Sequence, residues 1–253
     1  MASVHPHAQS FPIHRVPMTR PLVWLRGGWD DLMHNPGASL AYGWLVSALG
    51  ALILAYQRHP LFIAVAIIGF LLVGPILSAG LCELSRRRDR GESATFQSSL
   101  RPLRRNDRSL LGVAEALGLV ALIWFLLSGA VFYALAGSLG PSPQSTVWGD
   151  VMAQLSSAQY TAYILAGALL ACAVFALAVV AVPMIVDRHV DAATAMRTSL
   201  RVMARDLPAM LVWALLIVLL VTVGFATWLL GMIVIYPLLG HATWRAYREL
   251  VDQ

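Results

Sequence analysis

"GPILSAGLCELSRRRDRGES", residues 74–93, runs from an apolar stretch through one proline into a burst of arginine. The cadence returns as "AVPMIVDRHVDAATA" from residue 181 and as "YPLLGHATWRAYREL" from residue 236. A proline removes one helical hydrogen bond and bends the helix, which a membrane tolerates where neighbouring groups take up the freed carbonyl. Each copy therefore reads as a helix leaving hydrocarbon: Pro75, Pro183 and Pro237 mark the bends, and the polar residues that follow lie along the surface.

The composition agrees with that reading. Of 253 residues 58% are hydrophobic and 12% charged, against about 25% charged in a soluble domain. All 18 basic residues are arginine, and most are clustered. Basic clusters beside apolar runs are the signature of cytoplasmic loops and anionic lipid contact, not of nucleic acid. Cys82 and Cys172 lie within apolar runs and offer no disulfide framework or CxxC spacing. The first 37 residues contain no continuous apolar segment, so no cleaved signal peptide is expected and the N-terminus is placed in the cytoplasm.

A bilayer crossing needs about 20 mostly apolar residues. Segments at about 38–56, 61–83, 109–136 and 160–186 qualify directly, and 208–244 is long enough for two short spans. Residues 84–108 hold eight arginines and 187–207 hold four, whereas 137–159 hold no basic residue. Arginine marks the inside, so 57–60 and 137–159 are outer loops. Arg245 and Arg248 return to the cytoplasm only if 208–244 crosses twice, which predicts spans at about 208–224 and 227–246 with a hairpin near Gly224–Thr227.

The predicted fold is an all-α membrane protein of six transmembrane helices in three hairpins, each preceded by a cytoplasmic amphipathic interfacial helix. The apolar stripes of those helices are Leu22, Leu25, Trp29 and Leu32; Phe96, Leu100 and Leu103; and Met196, Leu200, Met203 and Leu207. Comparable chemistry closes each one, "HNPGASL" at 34, "RNDRSLL" at 105 and "ARDLPAML" at 204, as expected of a threefold internal repeat. Residues 1–20 read as a flexible cytoplasmic tail and 21–253 as one membrane domain. Gly112/Ala116, Ala130/Ala134 and Gly167/Ala171 are spaced for close helix packing.

Four motifs, "WLRGGWDDL" (24–32), "LCELSRRRDRGE" (81–92), "PMIVDRHVDAATAMRTSL" (183–200) and "PLLGHATWRAYRELV" (237–251), resemble those of the DUF2189 family of predicted bacterial integral membrane proteins, over nearly all of residues 22–251. The resemblance implies a multi-pass inner-membrane protein. Some family members carry a label borrowed from cytochrome oxidase subunit I, but haem and copper ligation needs several histidines inside the spans. Here His34, His59, His189 and His241 fall at or beyond helix ends.

Among polar residues, Glu115 is the most pointed, since an ionisable group at membrane depth is a functional candidate by default. Its bland alternative is a carboxylate that reaches the interface or pairs with a nearby arginine. His241, one turn after Pro237, is a candidate proton or ligand contact sharing a cytoplasm-facing cavity with Glu115; otherwise it bonds a carbonyl freed by Pro237. Glu83 and Asp187 stand beside arginines and could coordinate a ligand, or merely neutralise those neighbours. Asp191 reads as a helix N-cap. Arg197, Arg201 and Arg205 recur every four residues on one face, which predicts contact with anionic phospholipid head groups. The proline-broken tail carrying His5, His7 and His14 gives no fixed metal geometry.

No GxSxG, HExxH or glycine-rich phosphate loop occurs. Neither catalytic, metal nor cofactor residues are expected. The leading expectation is a non-enzymatic accessory or assembly component of a membrane complex, in contact with lipid and another integral membrane protein. The alternative is a transporter of small solutes or lipid.

Overall fold

The computed structural model of the chain describes residues 11–55, 74, 77–136 and 156–251. Expectations for His5, His7, Pro75, the outer loop 57–60, most of 137–159 and the larger part of the span 61–83 lie outside the described residues, as do the side chains of Ala130 and Ala134.

Eleven helices follow one another among the described residues: α1 Arg20–His34, α2 Pro36–Ala55, α3 77–89, α4 Phe96–Ser99, α5 Arg101–Arg105, α6 Asp107–Ala136, α7 Ser157–Ala178, α8 Ala181–Arg188, α9 Ala192–Arg205, α10 Leu207–Ala226 and α11 Met232–Leu250. The extended pairing among these residues is one antiparallel bridge between Ile13 and Val251. Four stretches are long and apolar enough to cross a bilayer: Pro36–Ala55, Asp107–Leu127, Leu165–Arg188 and Leu207–Ala226. The chain is thus an all-helical membrane protein, with counterparts for four of the expected spans.

Three times an amphipathic helix passes into an apolar one through a single non-helical residue. Asn35 (φ −132°, ψ 62°), Asn106 (φ −126°, ψ 24°) and Asp206 (φ −130°, ψ 48°) form these joints. Each joint's N–H donates four residues back, to Asp31, Pro102 and Val202, and its carbonyl accepts from Ser39, Leu110 and Met210 four residues on. The hydrogen-bond ladder therefore continues while the axis bends. Seven residues before each joint stands a small residue, Gly28, Ser99 or Ser199, each buried. Small side chains there let the amphipathic helix lie close on its neighbour.

The other faces of these helices differ from a simple apolar stripe. In α1, Leu32 is fully buried, whereas Leu22 and Trp29 are exposed. In α9 the protein-facing residues are Ala195, Thr198, Ser199 and Val202, and the stripe of Met196, Leu200, Met203 and Leu207 stays half-buried or exposed. Packing thus uses a small and polar face, leaving the apolar stripe beside the arginines. Gly112 packs on Ala192, while Gly167 has open space around it and Ala171 is exposed, so that last pair mediates no contact within the described chain.

The expected hairpin near Gly224–Thr227 is displaced toward the C-terminus, to Thr227–Gly231. Thr227 Oγ1 accepts from Gly231 N at 2.9 Å, and the Leu229 N–H reaches back to Gly224 O at 3.0 Å. Trp228 at the tip is 85% exposed, suited to a bilayer interface. The helix that follows, α11, is not one of the four strongly apolar ones. It forms a central post: Met232, Ile235, Leu239, His241, Trp244 and Tyr247 are all buried on it.

Two glycines let neighbours reach that post. Pro237 cannot donate to Ile233 O, and a Cβ on Gly43 of α2 would stand 1.9 Å from that same oxygen. Gly43 thus brings its backbone against the carbonyl that the proline leaves open. On the other side a Cβ on Gly28 would meet Ala242 N at 2.7 Å.

Residues 11–16, expected within a free tail, are tied to the C-terminal end. His14 N donates to Leu250 O at 3.0 Å, Val16 N to Asp206 Oδ2 at 2.9 Å, and the Arg188 guanidinium lies over Phe11 at 4.9 Å.

Candidate functional site

At the charged end of the post, polar side chains from four helices form one chain. Ser39 of α2 lies 2.9 Å from His241 Nε2, and Ser85 of α3 lies 2.7 Å from His241 Nδ1. Ser85 donates its single hydroxyl proton to Asp31 Oδ2 of α1 at 2.8 Å. Its oxygen can therefore only accept from His241, which puts the imidazole proton on Nδ1 and makes Nε2 the acceptor of the Ser39 hydroxyl. The order is hydroxyl, imidazole, hydroxyl, carboxylate.

Asp31, 2% exposed, is held further by two guanidiniums. Arg245 of α11 donates through Nε to Oδ2 at 2.8 Å and pairs with Oδ1, which Arg88 of α3 also contacts. Beyond it, Arg245 Nη1 donates to Asp89 Oδ1 at 2.7 Å, and Trp244 Nε1 to Asp89 Oδ2 at 2.9 Å. A buried carboxylate is expensive unless every lone pair is engaged. Here Asp31 has three partners drawn from two other helices, so the charge specifies how α1, α3 and α11 meet.

Such an order of groups could polarise the Ser39 hydroxyl, but Ser39 and His241 are both fully buried. In this conformation the chain clamps helices and meets no solute. His241 does not bond the carbonyl freed by Pro237, contrary to the structural alternative read from sequence: its two serines satisfy it, and Gly43 approaches that carbonyl. Nor does it share a cavity with Glu115, which is exposed on α6.

A second cluster adjoins the first. Glu83, 1% exposed, accepts from Arg86 Nε at 2.7 Å and Nη2 at 2.9 Å, and from Arg87 Nε at 3.0 Å. It neutralises arginines of its own helix. Asp187 accepts from Tyr247 OH at 2.9 Å and faces Arg90 at 3.5 Å. The joint residue Asn106 donates to Ile185 O at 3.0 Å and places Oδ1 2.7 Å from His189 Nδ1. Asp191 caps α9 by accepting from Thr194 N at 3.0 Å, a bond that holds its carboxyl below the usual aspartate range. Arg197, Arg201 and Arg205 are exposed, as are Leu200 and Leu207 on the adjoining stripe.

Glu115 is the exception. It has no hydrogen-bond or ion-pair partner among the described residues, and exposed Leu111, Leu119 and Leu122 share its helix face. No group of three potential metal-ligating side chains occurs among the described residues.

Sequence reasoning missed Asp31, Ser39 and Ser85. The usable signal was their company: Asp31 lies in "WLRGGWDDL" and Ser85 in "LCELSRRRDRGE", and His241 and Arg245 lie in "PLLGHATWRAYRELV". Three separate motifs thus meet at one carboxylate, and Asp187 and Arg188 of the remaining motif lie beside them on Tyr247.

No curated protein and no solved structure gives a significant match to the chain. The profile of the DUF2189 family, described as a predicted integral membrane protein, matches residues 62–187, just under half of the chain. That stretch holds the arginine-rich motif and the start of the third, and leaves "WLRGGWDDL" and "GHATWRAYR" outside it. Residues 62–187 are thus similar to the DUF2189 family of predicted integral membrane proteins.

Proposed function

We propose that this protein is a non-enzymatic accessory or assembly component of a complex in the bacterial inner membrane, crossing it six times as three hairpins with both termini in the cytoplasm. The contacts at one end support the topology. Ile13 pairs with Val251, Arg15 donates to Arg205 O, Asp31 contacts Arg88, Asp89 contacts Arg245, and Arg90 faces Asp187. An even number of crossings between successive members of this set keeps them together, whereas five spans in all would separate Ile13 from Val251. Arginine density assigns that end to the cytoplasm, and the three amphipathic helices lie there with exposed apolar stripes at the leaflet.

Glu115 carries the functional reading. It stands eight residues past Asp107, about 12 Å along the helix, among exposed leucines. A charge at mid-membrane costs about 3 kcal/mol on insertion scales and normally faces protein. Its own chain supplies no partner among the described residues, so a donor side chain from another membrane protein completes it. Transport would instead need an internal polar cavity shared by Glu115 and His241, and the burial of His241 removes its support.

Affinity purification in mild detergent tests this reading. A stoichiometric membrane partner is expected; recovery of the protein alone at every expression level contradicts it.

A further inference from the structure

Arg86, Arg101, Arg105, Asn106 and His189 converge between α3, α5 and the α8–α9 turn, with Glu83 behind them, packed too closely to admit a water, and Arg101, Arg105 and His189 are exposed at the surface of the cluster. Three guanidiniums face one carboxylate, and that carboxylate is already engaged by Arg86 and Arg87. Neither Arg101 nor Arg105 has an ion-pair partner among the described residues. His189 is fixed in place. Its backbone sits in the left-handed region (φ 55°), and because Asn106 uses Nδ2 on Ile185 O, its Oδ1 must accept the His189 Nδ1 proton. Nε2 is left as the open nitrogen of the ring.

Arg101 also lines an open groove of about 630 Å³, whose other walls are Thr95, Gln97, Ser98, Leu100, Leu103 and Arg104. The cationic cluster and the groove meet at Arg101, and the groove is walled partly by the apolar stripe of the second amphipathic segment. Free phosphate would use only the exposed cationic cluster, whereas an amphiphile with a phosphate beside acyl chains matches both the cluster and the groove.

We propose that this exposed cationic cluster and the adjoining groove bind one anionic phospholipid, its phosphate held at the surface by Arg101, Arg105 and His189 and its glycerol and upper acyl chain lying over Leu100 and Leu103. The assignment of this end to the cytoplasmic leaflet, made above, supplies the lipid, so the site rests on that reading. Arg197, Arg201 and Arg205, by contrast, form an open face that meets head groups without selecting one molecule.

Protonation tunes the site. Burial, then Arg105 and Arg86, lower the His189 pKa, with Asp187 and Glu83 opposing them. A bound phosphate offsets the two arginines and favours the imidazolium, which then donates from Nε2. Binding therefore strengthens as pH falls.

The test is retention of lipid by the detergent-purified full chain, read by native mass spectrometry after addition of phosphatidylglycerol or phosphatidylcholine. The proposal expects one tightly held phosphatidylglycerol, roughly tenfold or more weaker in Arg101→Ala/Arg105→Ala, where each basic contact is worth about 1 kcal/mol. Arg197→Ala/Arg201→Ala/Arg205→Ala should keep it, and His189→Gln should remove the pH dependence. Equal retention of phosphatidylcholine, equal loss in the Arg197 triple variant, or full displacement by millimolar glycerol phosphate would each overturn the site. Retention in micelles does not depend on sidedness. Labelling of Ser93→Cys from outside the cell would therefore contradict the topology separately.

Discussion

Two carboxylates at opposite extremes organise this molecule. Asp31 is 2% exposed and satisfied by Ser85, Arg88 and Arg245. Glu115 is exposed on a helix built to cross a bilayer and has no partner among the described residues. The same chemistry thus carries two meanings. A paired buried charge says how the chain's own helices fit together, and one among leucines without a partner among the described residues is the basis of the proposed contact with another membrane protein. Burial makes the first statement strong and the apolar helix face the second, since neither charge is expected to rely on bulk water.

Removing the paired acid should do the most damage. Asp31→Ala removes the carboxylate that Ser85, Arg88 and Arg245 share, leaving Arg245 only Asp89, and deleting one partner of a buried ion pair costs about 3–5 kcal/mol. The expected result is loss of folded protein from the membrane fraction. Near-normal abundance and thermal midpoint in detergent would show that the network adds little. His241→Ala leaves the Ser39 and Ser85 hydroxyls without the ring between them. About 1–3 kcal/mol is expected for stranded buried polar groups, with a lowered thermal midpoint but a retained fold.

The unpaired acid should behave in the opposite way. Glu115→Leu is expected to leave the thermal midpoint of the isolated protein unchanged or raised, since it removes a carboxylate from an apolar face. A large destabilisation would mean that Glu115 serves its own chain, and the contrast with Asp31 would collapse.

Smaller effects sharpen the boundary between these classes. Asp191→Ala removes a cap worth about 1 kcal/mol. Because the folded-state pKa of Asp191 is depressed, its contribution is present above the unfolded aspartate value near 4 and lost as pH falls through the folded one. The difference between wild type and variant in thermal unfolding should therefore narrow on acidification below about pH 4. Smallest of all, Trp213→Phe deletes a buried indole N–H that has no hydrogen-bond partner among the described residues, while keeping most of the edge contact with Trp24, whose ring centroid lies 5.9 Å away. Its effect on the midpoint should be near zero, in contrast to every variant of the satisfied network.

Much of the architecture was legible because hydropathy and arginine density act over whole segments. α2, α6 and α10 lie where the apolar runs place them, and the joints at Asn35, Asn106 and Asp206 fall within the three stretches that looked alike. Other features depend on tertiary approach and carry no periodic signal. Asp31 and Arg245 are 214 residues apart, and Ser39 and His241 are 202 apart. α11 was expected as the last span because it returns Arg245 and Arg248 to the cytoplasm; only packing shows Arg245 and Trp244 turned toward Asp31 and Asp89. The buried faces of α1 and α9 were also hidden, since glycine and serine read as neutral whereas the neighbouring leucines drew the eye.

The central claim is that the outer face around Glu115 belongs to another protein, and site-specific photo-cross-linking in native membranes tests it most directly. A photoreactive amino acid at Leu119, one turn from Glu115 and 57% exposed, should give one discrete adduct heavier than the protein itself. That adduct should disappear in Glu115→Leu and survive in Arg197→Ala/Arg201→Ala/Arg205→Ala. Cross-links to lipid alone, or an adduct indifferent to Glu115, would contradict the account.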